Sequence, residues 1–268
     1  MTILMIAAMA GELAMQPVPA PEGNAVGFET AVSFGLDASS GDYGLADDTH
    51  VVFAPVSIDI TRGGFRAAVS GAWATIDGPA DIFLLDSGPA GRRDRGPAAP
   101  AADTERSGLT DLSVEIGWTF SPDPLSAWVV DISAGVSLPT GDEDKGLGSG
   151  STDGFGAVAV SRDLGSASTV GAVAGYRIVG DRSDFEARDV SNGGVFVSHR
   201  LSDRATVAAR LDWRQSSDES FDDQADAGLS LSWALNTGAV ITTHVFAGLS
   251  DSSPAFGGGV SLRAPFGR

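Results

Sequence analysis

Apolar and polar residues alternate with a period of two along nearly the whole chain, and no other feature constrains the fold as strongly. In Trp128-Val129-Val130-Asp131-Ile132-Ser133-Ala134-Gly135-Val136-Ser137-Leu138 one parity is wholly apolar, while the other carries Asp131, Ser133, Gly135 and Ser137. Ala205, Val207, Ala209, Leu211 and Trp213 likewise oppose Thr206, Ala208, Arg210, Asp212 and Arg214. Successive side chains of a strand point to opposite faces, so this period predicts strands rather than helices. The same pattern places Phe28, Thr30, Val32, Phe34 and Leu36 on one face, as it does Leu112, Val114, Ile116, Trp118 and Phe120, and Leu229, Leu231 and Trp233. With Gly at 35 residues and many Ser, Thr and Ala, very little helix is expected.

The connections supply the architecture. Arg62-Gly63-Gly64, Asp163-Leu164-Gly165-Ser166, Leu201-Ser202-Asp203 and Asn236-Thr237-Gly238 are tight turns. Between them lie long polar stretches: 39–48, 78–107, 139–153, 181–189 and 216–223. The count is about twelve strands of roughly ten residues, joined by connections that alternate long and short, as in bacterial outer-membrane barrels. Segments of that length cross the hydrocarbon layer when tilted, and lipid offers no partner to an open strand edge, so the sheet is expected to close. The fold class is therefore all-β, a transmembrane antiparallel up-and-down barrel with long loops outside and tight turns in the periplasm. Trp128, Val130, Ile132, Leu112, Val114, Leu229 and Leu231 would face lipid, with Trp118, Trp213, Trp233, Tyr176 and Phe120 as interfacial girdle residues. In a soluble sandwich the same aromatics would be core.

The first ten residues, Met1 to Ala10, form a short apolar stretch in which Ala8-Met9-Ala10 fits a small-x-small cleavage site. No Lys or Arg precedes the apolar core, as a start codon placed downstream of the true one would explain; the competing reading is a buried N-terminal strand. The domain reading is a signal peptide over 1–10, a periplasmic leader without regular structure over 11–24, and the outer-membrane barrel over 25–268. A net charge of -18 repels phosphate and argues against a nucleic-acid partner. The absence of cysteine removes disulfides and thiolate metal sites but leaves the redox compartment open. The expected partners are outer-membrane lipid and lipopolysaccharide, the barrel-insertion machinery and a small-molecule solute.

A resemblance enters at the central hairpin. Gly135-Val136-Ser137-Leu138-Pro139-Thr140-Gly141-Asp142, followed by Leu147-Gly148-Ser149-Gly150-Ser151-Thr152-Asp153, resembles the strand-loop-strand signature of the outer-membrane proteins of the "meta-pathway of phenol degradation" family. Gly108-Leu109-Thr110-Asp111-Leu112 is similar to that family's Gly-Leu-Gly-Asp start of the preceding strand. The resemblance covers the central third closely and the rest by strand pattern. It implies a Gram-negative outer-membrane barrel passing small, often aromatic or hydrophobic, compounds. The chain departs from barrels of this kind at Phe266, which Gly267-Arg268 follow.

On the polar parity stand Glu29, Asp59, Arg66, Asp111, Glu115, Asp131, Arg177, Arg210, Asp212, Arg214, Asp226 and Arg263, a mixed-sign set expected to line the lumen. Burying so many charges is costly unless they pair or meet water. Eight strands fill a barrel with side chains and sixteen leave a wide channel, so about twelve predict a narrow, partly plugged pore. That reading competes with a non-conducting structural or surface barrel. Such a lining is polar and shows no obvious aromatic cage, and Ile82-Phe83-Leu84-Leu85, in the longest connection, is the candidate landing patch for apolar solutes. Deleting 78–107 is expected to leave the barrel intact.

The loop 139–153 reads as solvated and flexible, because Pro, repeated Gly and charge break the strand. Gly148-Ser149-Gly150-Ser151 lacks the Lys and helix of a phosphate loop, and neither Asp142, Glu143, Asp144 nor Asp222, Asp223 has Ca²⁺-loop spacing. His50, His199 and His244 show no metal spacing, so no metal or cofactor is expected. Ser198-His199 raises an outer-membrane hydrolase as a remote alternative; a triad needs a third orienting group, and the chain reads as a non-enzyme.

Overall fold

The computed structural model describes residues 2–6, 15–19, 27–44, 47–78, 82–85, 88–92, 104–122, 127–181, 188–217 and 221–266, with the backbone alone for 2–6, 15–19, 82–85, 88–92 and 104. Twelve antiparallel strands close into one barrel. In chain order these are β1 (Glu29–Gly41), β2 (Thr49–Arg62), β3 (Phe65–Gly78), β4 (Leu112–Phe120), β5 (Trp128–Leu138) and β6 (Asp153–Leu164). They continue as β7 (Ser168–Ile178), β8 (Val190–Arg200), β9 (Ala205–Arg214), β10 (Gln224–Ala234), β11 (Val240–Gly248) and β12 (Phe256–Phe266). Each pairs with the next, and β12 returns to β1, from Phe256 opposite Ser40 to Phe266 opposite Thr30. Closure gives every strand a partner on both sides, which hydrocarbon requires.

The outward parity is the apolar one. Leu112, Val114, Ile132, Leu229 and Leu231 are exposed on the barrel exterior, as are Phe34, Val56, Ile58 and Val245. Exposed aromatics mark two belts: Trp118, Phe120, Trp128, Trp233 and Phe266 at the short-turn end, and Trp73, Tyr176, Trp213 and Phe256 at the long-loop end. Arg62 stands 5.1 Å from the Phe28 ring and Arg162 stands 5.3 Å from the Trp128 ring, cations placed where ring faces meet headgroups. This exterior is that of a membrane barrel; a soluble sandwich would bury those side chains.

Two elements differ from the sequence reading. Thr104–Leu109 is a strand, paired with the long-loop half of β3 from Gly78 opposite Thr104 to Trp73 opposite Leu109. The interruption expected over 78–107 therefore ends early, and deleting it would remove part of the ladder. Its apolar parity is missing because the segment climbs beyond the belt residue Trp73, where the exterior meets water. Near the N-terminus Thr2–Ile6 pairs with Met15–Pro19, although the leader over 11–24 was expected to lack regular structure. An apolar backbone segment needs hydrogen-bond partners, and this ladder supplies them. The small-x-small residues Ala8-Met9-Ala10 lie outside the described residues.

Candidate functional site: the barrel interior

The interior is organised by the connection between β5 and β6, residues 139–152. The sequence reads it as a solvated loop; it turns into the barrel instead. Leu147 is 0% exposed, packed with Val51 and Phe53 of β2 and Ala72, Ala74 and Ile76 of β3, all inward-pointing. Asp111 receives the loop: the Gly141 N–H donates to its Oδ1 at 2.9 Å and the Ser149 N–H to its Oδ2 at 2.7 Å. A carboxylate holding two amides makes charge-assisted bonds, which accounts for a buried Asp at this joint. Thr140 Oγ1 accepts from the Leu112 N–H at 2.9 Å. At the far end buried Asp153 accepts from Ser151 Oγ and from the Gly180 N–H, both at 3.0 Å, and from Arg177 at 2.8 Å.

Glycines make the fold of this loop possible by close approach. A Cβ on Gly148 would lie 2.8 Å from the Gly141 Cα, and one on Gly108 would lie 2.9 Å from Leu147 Cδ1. The three separated pieces of the signature thus meet in space: Gly108 and Asp111 before β4, Gly141 after β5, and Leu147 to Ser149 before β6. Charge and glycine content point to solvent because sequence alone shows neither the Asp111 acceptor nor the apolar patch that Leu147 covers.

Below the loop, charged residues lace neighbouring strands together. Arg66 on β3 pairs with Glu115 on β4 at 3.0 Å and with Asp131 on β5 at 3.3 Å, and Thr119 Oγ1 donates to Asp131. To reach two strands away the Arg66 side chain lies across β4 at Gly117, where a Cβ would come within 2.8 Å of its Nη2. His244 on β11 reaches Asp37 on β1 at 3.2 Å, across β12, where the Asp37 carboxylate overlies Gly259. Inward aromatics follow the same rule. Phe155, Phe196 and Phe246 overlie the glycines directly opposite them, Gly135, Gly171 and Gly257. A large side chain lying over a glycine follows the wall instead of projecting toward the barrel axis.

The opposite wall carries Arg210, which stands 3.3 Å from Asp212 and 3.8 Å from Asp226, and Arg214, which donates to Gln224. Arg210 is 18% exposed, with Asp212 at 25% and Asp226 at 26%; on the other wall Arg66, Glu115 and Asp131 are at 3%, 9% and 6%. Arg263 on β12 donates to Asp59 on β2.

Of the residues expected to line the lumen, Arg66, Glu115 and Asp131 form one buried cluster, Arg210, Asp212 and Asp226 a second, and Asp59 with Arg263 a pair. Asp111 is taken up by the loop, Arg177 by Asp153, and Arg214 by Gln224, while Glu29 is exposed at the first end of β1. Leu147, Asp153, Asp37, His244 and the inward phenylalanines also belong to the interior, although the sequence reading does not place them in the lining. Phe155 and Phe246 were legible by parity, since each sits two residues from an inward polar position. The side chains of Ile82, Phe83, Leu84 and Leu85 lie outside the described residues; their backbone pairs with Gly88–Arg92.

Ser198 and His199 are neighbours on a strand, so they point to opposite faces: Ser198 is buried inside and His199 is exposed outside. His199 Nδ1 instead shares a 2.8 Å hydrogen bond with Ser168 of β7. His50 is exposed. Lys145 engages Asp142 at 3.4 Å and Arg188 engages Asp223 at 3.8 Å. Among the described residues no group of three or more His, Cys, Asp or Glu is arranged to hold a metal ion.

Comparison with known proteins agrees with this architecture. The family described as "Putative MetA-pathway of phenol degradation" matches residues 26–264. The COG4313 outer membrane channel from Pseudomonas putida F1 superposes with a TM-score of 0.68 at 12% identity, covering 89% of this chain and 95% of that one. The KdgM porin gives 0.55 at 8% identity, over 88% and 99%, and the NanC porin 0.53 at 10% identity, over 89% and 100%. At such identities the likeness is one of fold. No curated protein matches the chain in sequence.

Proposed function

Because the chain belongs to the family described as "Putative MetA-pathway of phenol degradation", and its closed barrel is of the outer-membrane kind, we propose that it is a narrow outer-membrane channel for small solutes. The observation that carries this reading is the loop of 139–152, which enters the barrel and covers one wall with Leu147 while the charges on the wall opposite keep contact with solvent. A structural barrel has no need of such an asymmetry. Twelve strands surround more space than side chains alone fill, and the loop narrows that space. The chemistry asked of the protein is passage. The family's description points to small aromatic compounds as the solute class.

Residence in the outer membrane entails lipid and lipopolysaccharide at the exterior belts and delivery by the barrel-insertion machinery. Residues 1–10 serve as the export signal in this reading, and 11–24 as the periplasmic leader. Planar-bilayer recording of the refolded protein tests the proposal. Small discrete conductance steps are expected, larger when residues 141–150 are replaced by a short Gly-Ser link. Steady zero conductance in both proteins would favour the non-conducting barrel.

A further inference from the structure

Resting on the channel reading, we propose that the water-filled path is off-centre: it follows the β9–β10 wall, with Arg210, Asp212 and Asp226 as the charges a solute meets, and the β3–β5 wall is closed to it. Three observations carry this. The two walls hold the same chemistry, an arginine between two carboxylates, yet the Arg210 group is several times more exposed than the Arg66 group. The loop that narrows the barrel is fastened over β2 to β4, through Asp111 and the Leu147 contact, on the side of the barrel away from Arg210. On the open wall glycines hold the charged side chains flat: a Cβ on Gly228 would lie 2.6 Å from Arg210 Nε, and one on Gly194 would lie 2.5 Å from Asp212 Oδ1.

The solute class follows from the charges. Arg210 and Arg214 stand beside Asp212 and Asp226, so this stretch of wall has both signs and no net charge. It suits small solutes that carry a carboxylate, an ammonium group or both, and it discriminates weakly between simple anions and cations. An apolar molecule without a polar group would have to displace the water that these side chains hold.

The chain has no cysteine, so a single introduced thiol is read without background. Ser230→Cys places one on the inward face of β10 and Ser133→Cys places one on the inward face of β5. A charged, membrane-impermeant methanethiosulfonate reagent should label full-length protein in detergent faster at 230 than at 133, by about tenfold or more, since a sealed position reacts only through local opening. In planar bilayers under a KCl gradient, Arg210→Gln should shift the reversal potential toward cation preference and Asp131→Asn should leave it unchanged. Equal labelling at the two sites, or a larger shift from Asp131→Asn, would overturn the off-centre path. Fast labelling at 230 alone in a protein that never conducts would support the path and overturn conduction, which separates this inference from the reading it rests on.

Discussion

On the β3–β5 wall Arg66 holds Glu115 and Asp131 out of water; on the β9–β10 wall Arg210 holds Asp212 and Asp226 within its reach. Both groups use one arginine, two carboxylates and a glycine under the guanidinium. What separates them is exposure. The Arg66 group is almost wholly out of water, so each charge depends on its partners. The other wall keeps part of its hydration, and its ion pairs are worth correspondingly less. A membrane barrel can therefore use identical residue types as structural ties on one side and as solvated lining on the other.

The sharpest way to break this comparison is to remove the arginine from each wall. Arg66→Ala leaves Glu115 and Asp131 buried together and should cost about 3–5 kcal/mol of stability. Arg210→Ala leaves two partly exposed carboxylates and should cost less, about 1–3 kcal/mol. Urea unfolding in detergent, followed by heat-modifiable mobility on gels, measures both; equal losses would mean that the walls are not different in kind.

The next effect concerns the cover itself. Leu147→Ala removes the fully buried side chain that seats the loop on Val51, Phe53 and Ile76, and a loss of about 2–4 kcal/mol is expected. Loosening the loop should also make 141–150 accessible to added protease and raise conductance. Asp111→Asn keeps the size of the side chain but weakens the bonds from Gly141 and Ser149, by about 1–2 kcal/mol. It should move protease sensitivity and conductance in the same direction as Leu147→Ala, and less far.

Most of the barrel was legible in the sequence, because lipid outside and polar lining inside impose one rule on every strand. β5 and β9 announce themselves by parity alone. Thr104–Leu109 did not, since a rung beyond the apolar belt has no reason to alternate. The inward loop was illegible for a different reason. Gly141, Gly148 and Asp142 to Asp144 are residues of solvated loops, and only the fold brings Asp111 and the β2–β3 apolar patch to them. The signature stretches were recognisable as strings, but their meaning as one clasp depends on distances that span three strands. Likewise the polar parity identifies Arg66 and Arg210 equally well, while the difference in exposure between them is tertiary.

A further pair of substitutions tests the glycines beneath the two walls. Gly135 lies under Phe155, and a Cβ there would come within 2.6 Å of the ring's Cε2. Phe155 is buried and a Cβ on Gly135 would also meet the Val114 carbonyl, so Gly135→Ala is an overpacking change that should cost about 1–3 kcal/mol and leave ion conduction in the folded fraction unaltered. Gly228 lies under Arg210, whose long side chain is partly in water and can swing away. Gly228→Ala should therefore cost little stability, under about 1 kcal/mol. The displaced guanidinium would then stand out from the wall into the path, and conductance should fall without being abolished. A stability loss from Gly228→Ala as large as that from Gly135→Ala, with conductance unchanged, would show that Arg210 is packed as tightly as Phe155 and that the water lies elsewhere.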